Sequence, residues 1–188
     1  MKRVVLIWSI LLFGCGDDPL PKPKAHLRLD YPIAKYKEAL TPLPFTFDKN
    51  ELANPISKVK SLRNSKGIDI NYSALKATIY LTYKPINNNL DSLIRDAQNL
   101  TQKHTMKADE ISQNIFENPK TKVYGMLYEI GGDAASQSQF YVTDSTNHFL
   151  SGSLYFYATP NYDSIYPAAE YLKNDIKRIM ESVRWKTK

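Results

Sequence analysis

Alternating apolar and polar positions predict two long strands in the first half of the chain. Ile68, Ile70 and Tyr72 alternate with polar neighbours and indicate the first strand. Residues 77–83 alternate throughout and indicate the second, which ends at Pro85 because proline cannot donate a ladder hydrogen bond. Shorter extended segments are predicted at residues 25–30, 37–43, 45–47 and 56–62.

Two stretches have the apolar spacing of helices that bury one face. In the first, the apolar stripe is Leu90, Leu93, Ile94, Ala97 and Leu100. Asn89 precedes it and is predicted to cap the helix. In the second, the stripe is Leu172, Ile176, Ile179, Met180 and Val183. Pro167 is predicted to lie in the first turn of this helix, where its missing N–H costs nothing.

Three further strands are predicted between the helices, at residues 122–130, 138–143 and 148–159. The last two form a hairpin through the polar turn 144–147. Gly131 and Gly132 are predicted to allow a turn with positive φ. The order of strands, helix, strands and helix predicts an α+β fold with a mainly antiparallel sheet packed by the two helices.

Composition and charge narrow the protein class. The chain has 188 residues, 43% of them hydrophobic, which predicts one globular domain over residues 26–188. One cysteine excludes a disulfide framework and a zinc cluster of thiolates. The net charge of +6 is mild, and no lysine- or arginine-rich run predicts binding to nucleic acid.

The N-terminus has the pattern of a lipoprotein signal peptide over residues 1–14. A basic start at Lys2 and Arg3 precedes ten residues that are apolar except for Ser9, too few to span a bilayer. The sole cysteine, Cys15, ends a lipobox-like sequence and is predicted to be acylated, which makes the membrane a partner. Residues 15–25 then form a proline-rich tether. The alternatives are a signal cut elsewhere, or a buried strand with a structural cysteine.

Several segments resemble the family of gliding motility lipoproteins GldD. They are residues 21–32, 132–135, 139–145, 148–156, 160–165 and 181–185. The chain departs from the family pattern at two places, Ser151 and the pair Ala25-His26. The resemblance implies a PsbP-like α/β/α sandwich and a protein of the cell envelope, on the cell or outer membrane facing the periplasm. It implies a structural partner of the gliding and type IX secretion machinery, without enzymatic activity or cofactor.

Three groups of residues are candidates for catalytic or metal-binding chemistry. Asp144, Ser145 and His148 are close enough in sequence to suggest acyl transfer, but their place in a hairpin favours turn hydrogen bonds. His26, His104 and His148 are too dispersed to predict a metal site. A third group of acidic residues is interpreted as a solvated surface around the first helix: Asp91, Asp96, Asp109 and Glu110.

Tyrosines near the end of the last long strand give the candidate interaction surface. They are Tyr155, Tyr157, Tyr162 and Tyr166. Tyrosine offers a large contact area with a polar tip, which suits protein interfaces. The alternative is that some of them fill the core and the rest cover the sheet. Two further function classes stay open, an exported hydrolase acting on the envelope and a lipoprotein that binds a small ligand.

Overall fold

The computed structural model describes residues 29–56, 59–103, 108–157 and 162–186, without the side chains of Leu62 and Tyr162. The predictions for the signal peptide, Cys15, the tether, His26 and His104 therefore lie outside the described residues. The strands are β1 (Tyr36–Ala39), β2 (Phe45–Asn50), β3 (Lys60–Leu62), β4 (Ser65–Tyr72), β5 (Ala77–Pro85), β6 (Ala108–Asn118), β7 (Val123–Gly132), β8 (Ser136–Thr143), β9 (His148–Phe156) and β10 (Arg184–Trp185). The helices are α1 (Leu90–Gln102) and α2 (Tyr162–Glu181).

The described strands form two antiparallel sheets. The larger sheet has the order β3-β4-β5-β9-β8-β7-β6, and the smaller one has the order β1-β2-β10. The eight residues of β8 are all buried. A strand in the middle of a sheet is buried in this way when both faces of the sheet are covered.

The two helices cover opposite faces of the larger sheet. Leu172 and Ile176 of α2 belong to one hydrophobic cluster with Phe140 of β8, whereas Leu93 of α1 belongs to another with the adjacent Tyr141. Because successive side chains of a strand point to opposite faces, α1 and α2 must lie on different sides. This arrangement confirms an α+β fold whose antiparallel sheet is packed by helices.

The helix stripes are largely confirmed, but the predicted role of Asn89 is wrong. Leu93 is buried, while Leu100, at the far end of α1, is 41% exposed. Asn89 occupies the N-cap position but makes no side-chain capping bond. Its Oδ1 instead accepts a hydrogen bond from the backbone N–H of Asn87 at 2.8 Å, because the chain turns back just before the helix.

The apolar stripe of α2 is confirmed in full, and the predicted place of Pro167 is wrong. All five stripe residues are buried, with Val183 just beyond the end of the helix. Pro167 lies inside α2 because the helix begins at Tyr162, earlier than the apolar stripe indicates. Proline there removes the hydrogen bond that its N–H would donate to Asp163 one turn back.

Several strand boundaries differ from the prediction. The segment predicted at 37–43 is a strand only to Ala39, and the one at 56–62 only from Lys60, with residues 57–58 outside the described part. β9 ends at Phe156, and residues 158–159 of its predicted range are not described. β6 and β10 were not predicted from the sequence. β6 is an edge strand with polar residues on both faces, and β10 has only two residues.

Gly132 has the predicted positive φ, at +91°. It is the last residue of β7 and lies opposite an irregularity in β6 between Ala108 and Glu110. A Cβ atom at Gly132 would lie 2.7 Å from the backbone nitrogen of Asp109. Both the backbone angle and this close approach require glycine.

Candidate interaction sites

Three tyrosines meet on the face of the larger sheet that carries α1, and we call Tyr80, Tyr155 and Tyr157 the tyrosine cluster. The rings of Tyr80 and Tyr155 pack edge to face, with centroids 5.8 Å apart. The hydroxyl of Tyr157 lies 2.5 Å from Thr78 Oγ1 and 3.3 Å from the hydroxyl of Tyr80. Tyr157 is nevertheless 63% exposed. The cluster therefore presents aromatic area to solvent while its hydroxyls are held in place.

The hydrogen bonds of the tyrosine cluster have a definite direction. Thr78 donates its only hydroxyl proton to Asn71 Oδ1 at 2.8 Å, so Tyr157 is the donor to Thr78. The hydrogen bond with Tyr157, together with burial, raises the pKa of Tyr80 to about 12. The Tyr80 hydroxyl is therefore protonated at neutral pH.

The structure brings together two of the four tyrosines named from the sequence. Tyr155 and Tyr157 both contact Tyr80, which sequence reasoning missed because it belongs to the polar side of an alternating strand. Tyr166 is half-buried on α2. Tyr162 is the first residue of α2, and its side chain lies outside the described part. A joint surface of all four remains a prediction.

A second candidate site, which we call the basic cleft, has a volume of about 760 Å³. It lies between the end of β5, the turn 119–122, the turn 144–147 and β10. Its basic side chains are Lys120, Lys122, Arg184 and Lys186. Asp144 is the one carboxylate in its lining. Segments far apart in the sequence thus form a cleft of the size that commonly binds ligands.

Packed aromatic rings form one wall of the basic cleft. The His148 ring stacks on Trp185 with centroids 5.0 Å apart and an angle of 18°. Nδ1 of His148 lies 2.8 Å from the hydroxyl of Tyr83. The indole N–H of Trp185 donates to the carbonyl of Lys122 at 3.0 Å, and the rings of Phe45 and Trp185 pack in a T-shaped pair. These contacts fix the shape of the wall.

Two of the four basic side chains are engaged by the protein. Arg184 Nη2 binds Asp48 Oδ1 at 2.7 Å and Glu38 Oε1 at 3.3 Å. Burial opposes ionisation of Asp48, but hydrogen bonds from Arg184 and Arg178 outweigh it and hold the pKa of the carboxyl below its ordinary value. Lys186 Nζ donates to the carbonyl of Thr41. Within the described part of the chain, neither Lys120 nor Lys122 forms an ion pair.

Asp144 holds the hairpin turn, as the sequence predicts. Its Oδ1 accepts hydrogen bonds from the backbone N–H groups of Thr146, Asn147 and His148 at 2.8–3.0 Å. Burial opposes ionisation, but these bonds keep the pKa of Asp144 below its ordinary value. Nδ1 of His148, the atom that the aspartate of a catalytic triad would hold, instead lies 2.8 Å from the Tyr83 hydroxyl. No set of three metal-ligating side chains occurs among the described residues.

A buried carboxylate, Asp175, was missed by sequence reasoning. It lies on α2 and accepts hydrogen bonds from the Tyr36 hydroxyl at 2.6 Å and from Asn50 Nδ2 at 2.9 Å. Burial raises the pKa of Asp175 even though these hydrogen bonds act in the opposite direction. Its position between Leu172 and Ile176 on the apolar stripe was the available signal. Asp175 joins the smaller sheet to α2.

The sequence model of the family described as gliding motility lipoprotein GldD matches residues 16–185. A search among curated proteins gave no significant match. The matched segment contains the tyrosine cluster, the basic cleft and Asp175.

Proposed function

The chain belongs to the gliding motility lipoprotein GldD family, and from this we propose that it is a lipid-anchored assembly partner of the gliding and type IX secretion machinery. Membership associates the chain with gliding motility and with the membranes of the cell envelope. The proposal adds that its role is structural rather than enzymatic. It also adds that gliding requires the protein.

The proposed anchor is an acyl chain, such as palmitate, on Cys15. The family match begins at residue 16, directly after this cysteine, and the family is one of lipoproteins. None of the described helices is both long and apolar enough to cross a bilayer. A lipid on Cys15 would hold the domain at the cell membrane or the outer membrane, facing the periplasm. The proline-rich tether would space it from the lipid surface.

The observation that carries the assembly role is the tyrosine cluster. Exposed aromatic side chains that are already held by hydrogen bonds lose little conformational freedom when a partner covers them. Tyrosine is also enriched at the centre of protein interfaces. We place the cluster on a PsbP-like α/β/α sandwich, a fold that commonly serves in adaptors. The helices on opposite faces of the antiparallel sheet support this fold assignment.

Replacement of Tyr157 tests the assembly role in gliding cells. Tyr157→Ala removes the most exposed ring of the cluster, so we expect weaker crosslinking to gliding or secretion components and reduced spreading. Leu40→Ala is the matched control because Leu40 is an exposed apolar side chain, 79% accessible, on a different surface. Normal crosslinking and gliding by an accumulated Tyr157→Ala protein would contradict the proposal.

A further inference from the structure

The basic cleft carries positive charge that the described part of the chain does not neutralise. Lys120 and Lys122 lie on the rim, and neither forms an ion pair within the described part of the chain. The one lining carboxylate, Asp144, is occupied by three backbone N–H groups of its own turn. The cleft therefore has an excess of positive charge and suits an anionic occupant.

We propose that the basic cleft binds an acidic, extended segment of a partner protein, an inference that rests on the proposed assembly role. The segment would place carboxylates near Lys120 and Lys122. It would lay an apolar side chain against Pro44, Pro85 and Ile86, which line the same cleft. A volume of about 760 Å³ accommodates several residues of such a segment.

The type of basic group favours separate carboxylates over a phosphate. Arginine binds phosphate through two parallel N–H donors, and the arginine of this cleft, Arg184, already binds Asp48 and Glu38. The lysines without an ion pair are point charges on flexible stems, which adjust to carboxylates at different spacings. The apolar part of the lining would contribute nothing to a small inorganic anion.

The aromatic wall makes the cleft a formed site before a partner arrives. Trp185 is held by its stack on His148 and by the hydrogen bond to the Lys122 carbonyl. The same hydrogen bond ties the turn that carries Lys120 and Lys122 to β10. A segment that binds there meets a wall that needs little reordering, which lowers the entropic cost of binding.

Fluorescence of Trp185 gives a direct assay. The sequence has two tryptophans, Trp8 and Trp185, and Trp8 lies in the signal peptide predicted over residues 1–14, so the mature lipidated protein reports on the cleft alone. The lipidated protein in detergent is titrated with a short peptide in which glutamate and isoleucine alternate. A peptide with lysine in place of glutamate and inorganic phosphate serve as comparison probes. We expect a saturable change in Trp185 emission with the glutamate peptide. The affinity should be lower at high salt, because salt screens the charges.

Charge reversal locates the binding. The double change Lys120→Glu, Lys122→Glu should lower the affinity for the glutamate peptide by about tenfold or more. Lys35→Glu with Lys66→Glu is the matched control, because both lysines are exposed and the net charge changes equally. Thermal unfolding verifies that each variant is folded. The proposal is overturned if the control pair loses as much affinity for the glutamate peptide, or if the lysine peptide binds as tightly as the glutamate peptide. It is also overturned if the glutamate peptide gives no saturable response.

Phosphate and gliding assays complete the test. Phosphate that saturates the emission change at the same concentration as the peptide would identify a small-anion site and overturn the proposal. In gliding cells, the Lys120→Glu, Lys122→Glu protein should accumulate normally and glide poorly. If that protein glides normally while Cys15→Ala abolishes gliding, the cleft proposal fails and the proposed anchored function stands.

Discussion

The two faces of the larger sheet are built differently. Against α2, the sheet buries a continuous apolar core that includes Leu154 of β9 and extends to Phe45 and Phe47 of the smaller sheet. Against α1, the buried cluster is small and consists of Leu93, Tyr128, Tyr141 and Phe149. On this second face, Tyr80 and Tyr155 of the tyrosine cluster are only half-buried.

This difference indicates that the two faces contribute differently to stability and to recognition. Buried apolar area is the main source of folding free energy, so the α2 face should account for most of the stability. The α1 face buries less and leaves polar and aromatic side chains available. We infer that changes in the buried core of the α2 face unfold the protein, whereas changes to the exposed side chains of the α1 face alter its interactions.

The largest effect should come from removal of the second helix. Truncation before Leu172 removes the last ten residues of α2 together with β10 and with them five buried stripe residues. Each such side chain contributes about 1.5–3 kcal/mol, and a whole domain is stable by only about 5–15 kcal/mol. We expect no cooperative thermal unfolding and little accumulated protein.

Truncation after Lys186 is the control for the loss of chain length. It keeps the hydrogen bond from the Lys186 N–H to the Pro44 carbonyl at 2.9 Å and the packing of Trp185. That protein should melt close to the parent temperature. A cooperative transition in the protein cut before Leu172 would show that α2 is not part of the core.

Replacement of one buried side chain by alanine should also lower the stability more on the α2 face than on the α1 face. Ile176→Ala removes a fully buried side chain from the α2 face and should cost about 2–5 kcal/mol of unfolding free energy. Leu93→Ala, in the small cluster under α1, should cost less because several of its neighbours are only partly buried. Denaturant titration measures both values. An equal or larger loss for Leu93→Ala would remove the proposed asymmetry.

The sequence predicts elements whose apolar pattern follows from one buried face. The stripe of α2 and the alternation of β5 are of this kind, and both are confirmed. The apolar pattern does not predict an element that buries neither face, such as β6, whose Ile115 is 75% exposed. The pattern also fails at the start of β8, where the polar residue Gln137 is buried and its amide nitrogen donates to the backbone carbonyls of Gly132 and Ala134.

The candidate sites were less accessible to sequence reasoning. The proximity of Tyr155 and Tyr157 in sequence indicated their joint position, but their contact with Tyr80 depends on the register of β5 and β9. The basic cleft joins residues 120–122 with residues 184–186, which no local pattern relates. Long-range pairing of strands and turns determines such sites.

The pH dependence of stability should report on Asp175, the polar group within the otherwise apolar α2 face. Its pKa is raised above the ordinary value of 3.8 by burial, so the folded protein binds the proton more tightly than the unfolded chain. The stabilisation is complete below that value and is lost as the pH rises through the raised pKa. Asp175→Asn should remove this part of the pH dependence.

The amide side chain that Asp175→Asn introduces has no charge, so the effect of this change has two parts. Loss of an acceptor for Tyr36 and Asn50 should lower the unfolding free energy by about 1–3 kcal/mol at all pH values. The slope of unfolding free energy against pH above the ordinary value of 3.8 should flatten in addition. Urea titrations across this range measure both parts. A slope in the variant equal to that of the parent would show that Asp175 is not the group that titrates.

The smallest effect is expected in the tyrosine cluster, where Tyr157→Phe removes one hydroxyl and keeps the ring. The hydroxyl donates to Thr78 at 2.5 Å, and a hydrogen bond of this kind contributes about 0.5–1.5 kcal/mol. Because Tyr157 is mostly exposed, water replaces part of that bond, and the loss should fall at the lower end. A double-mutant cycle with Thr78→Val isolates the pair. Zero coupling would mean that Tyr157 is not held on the sheet, and the cluster would lose the preorganisation that distinguishes it from an ordinary exposed ring.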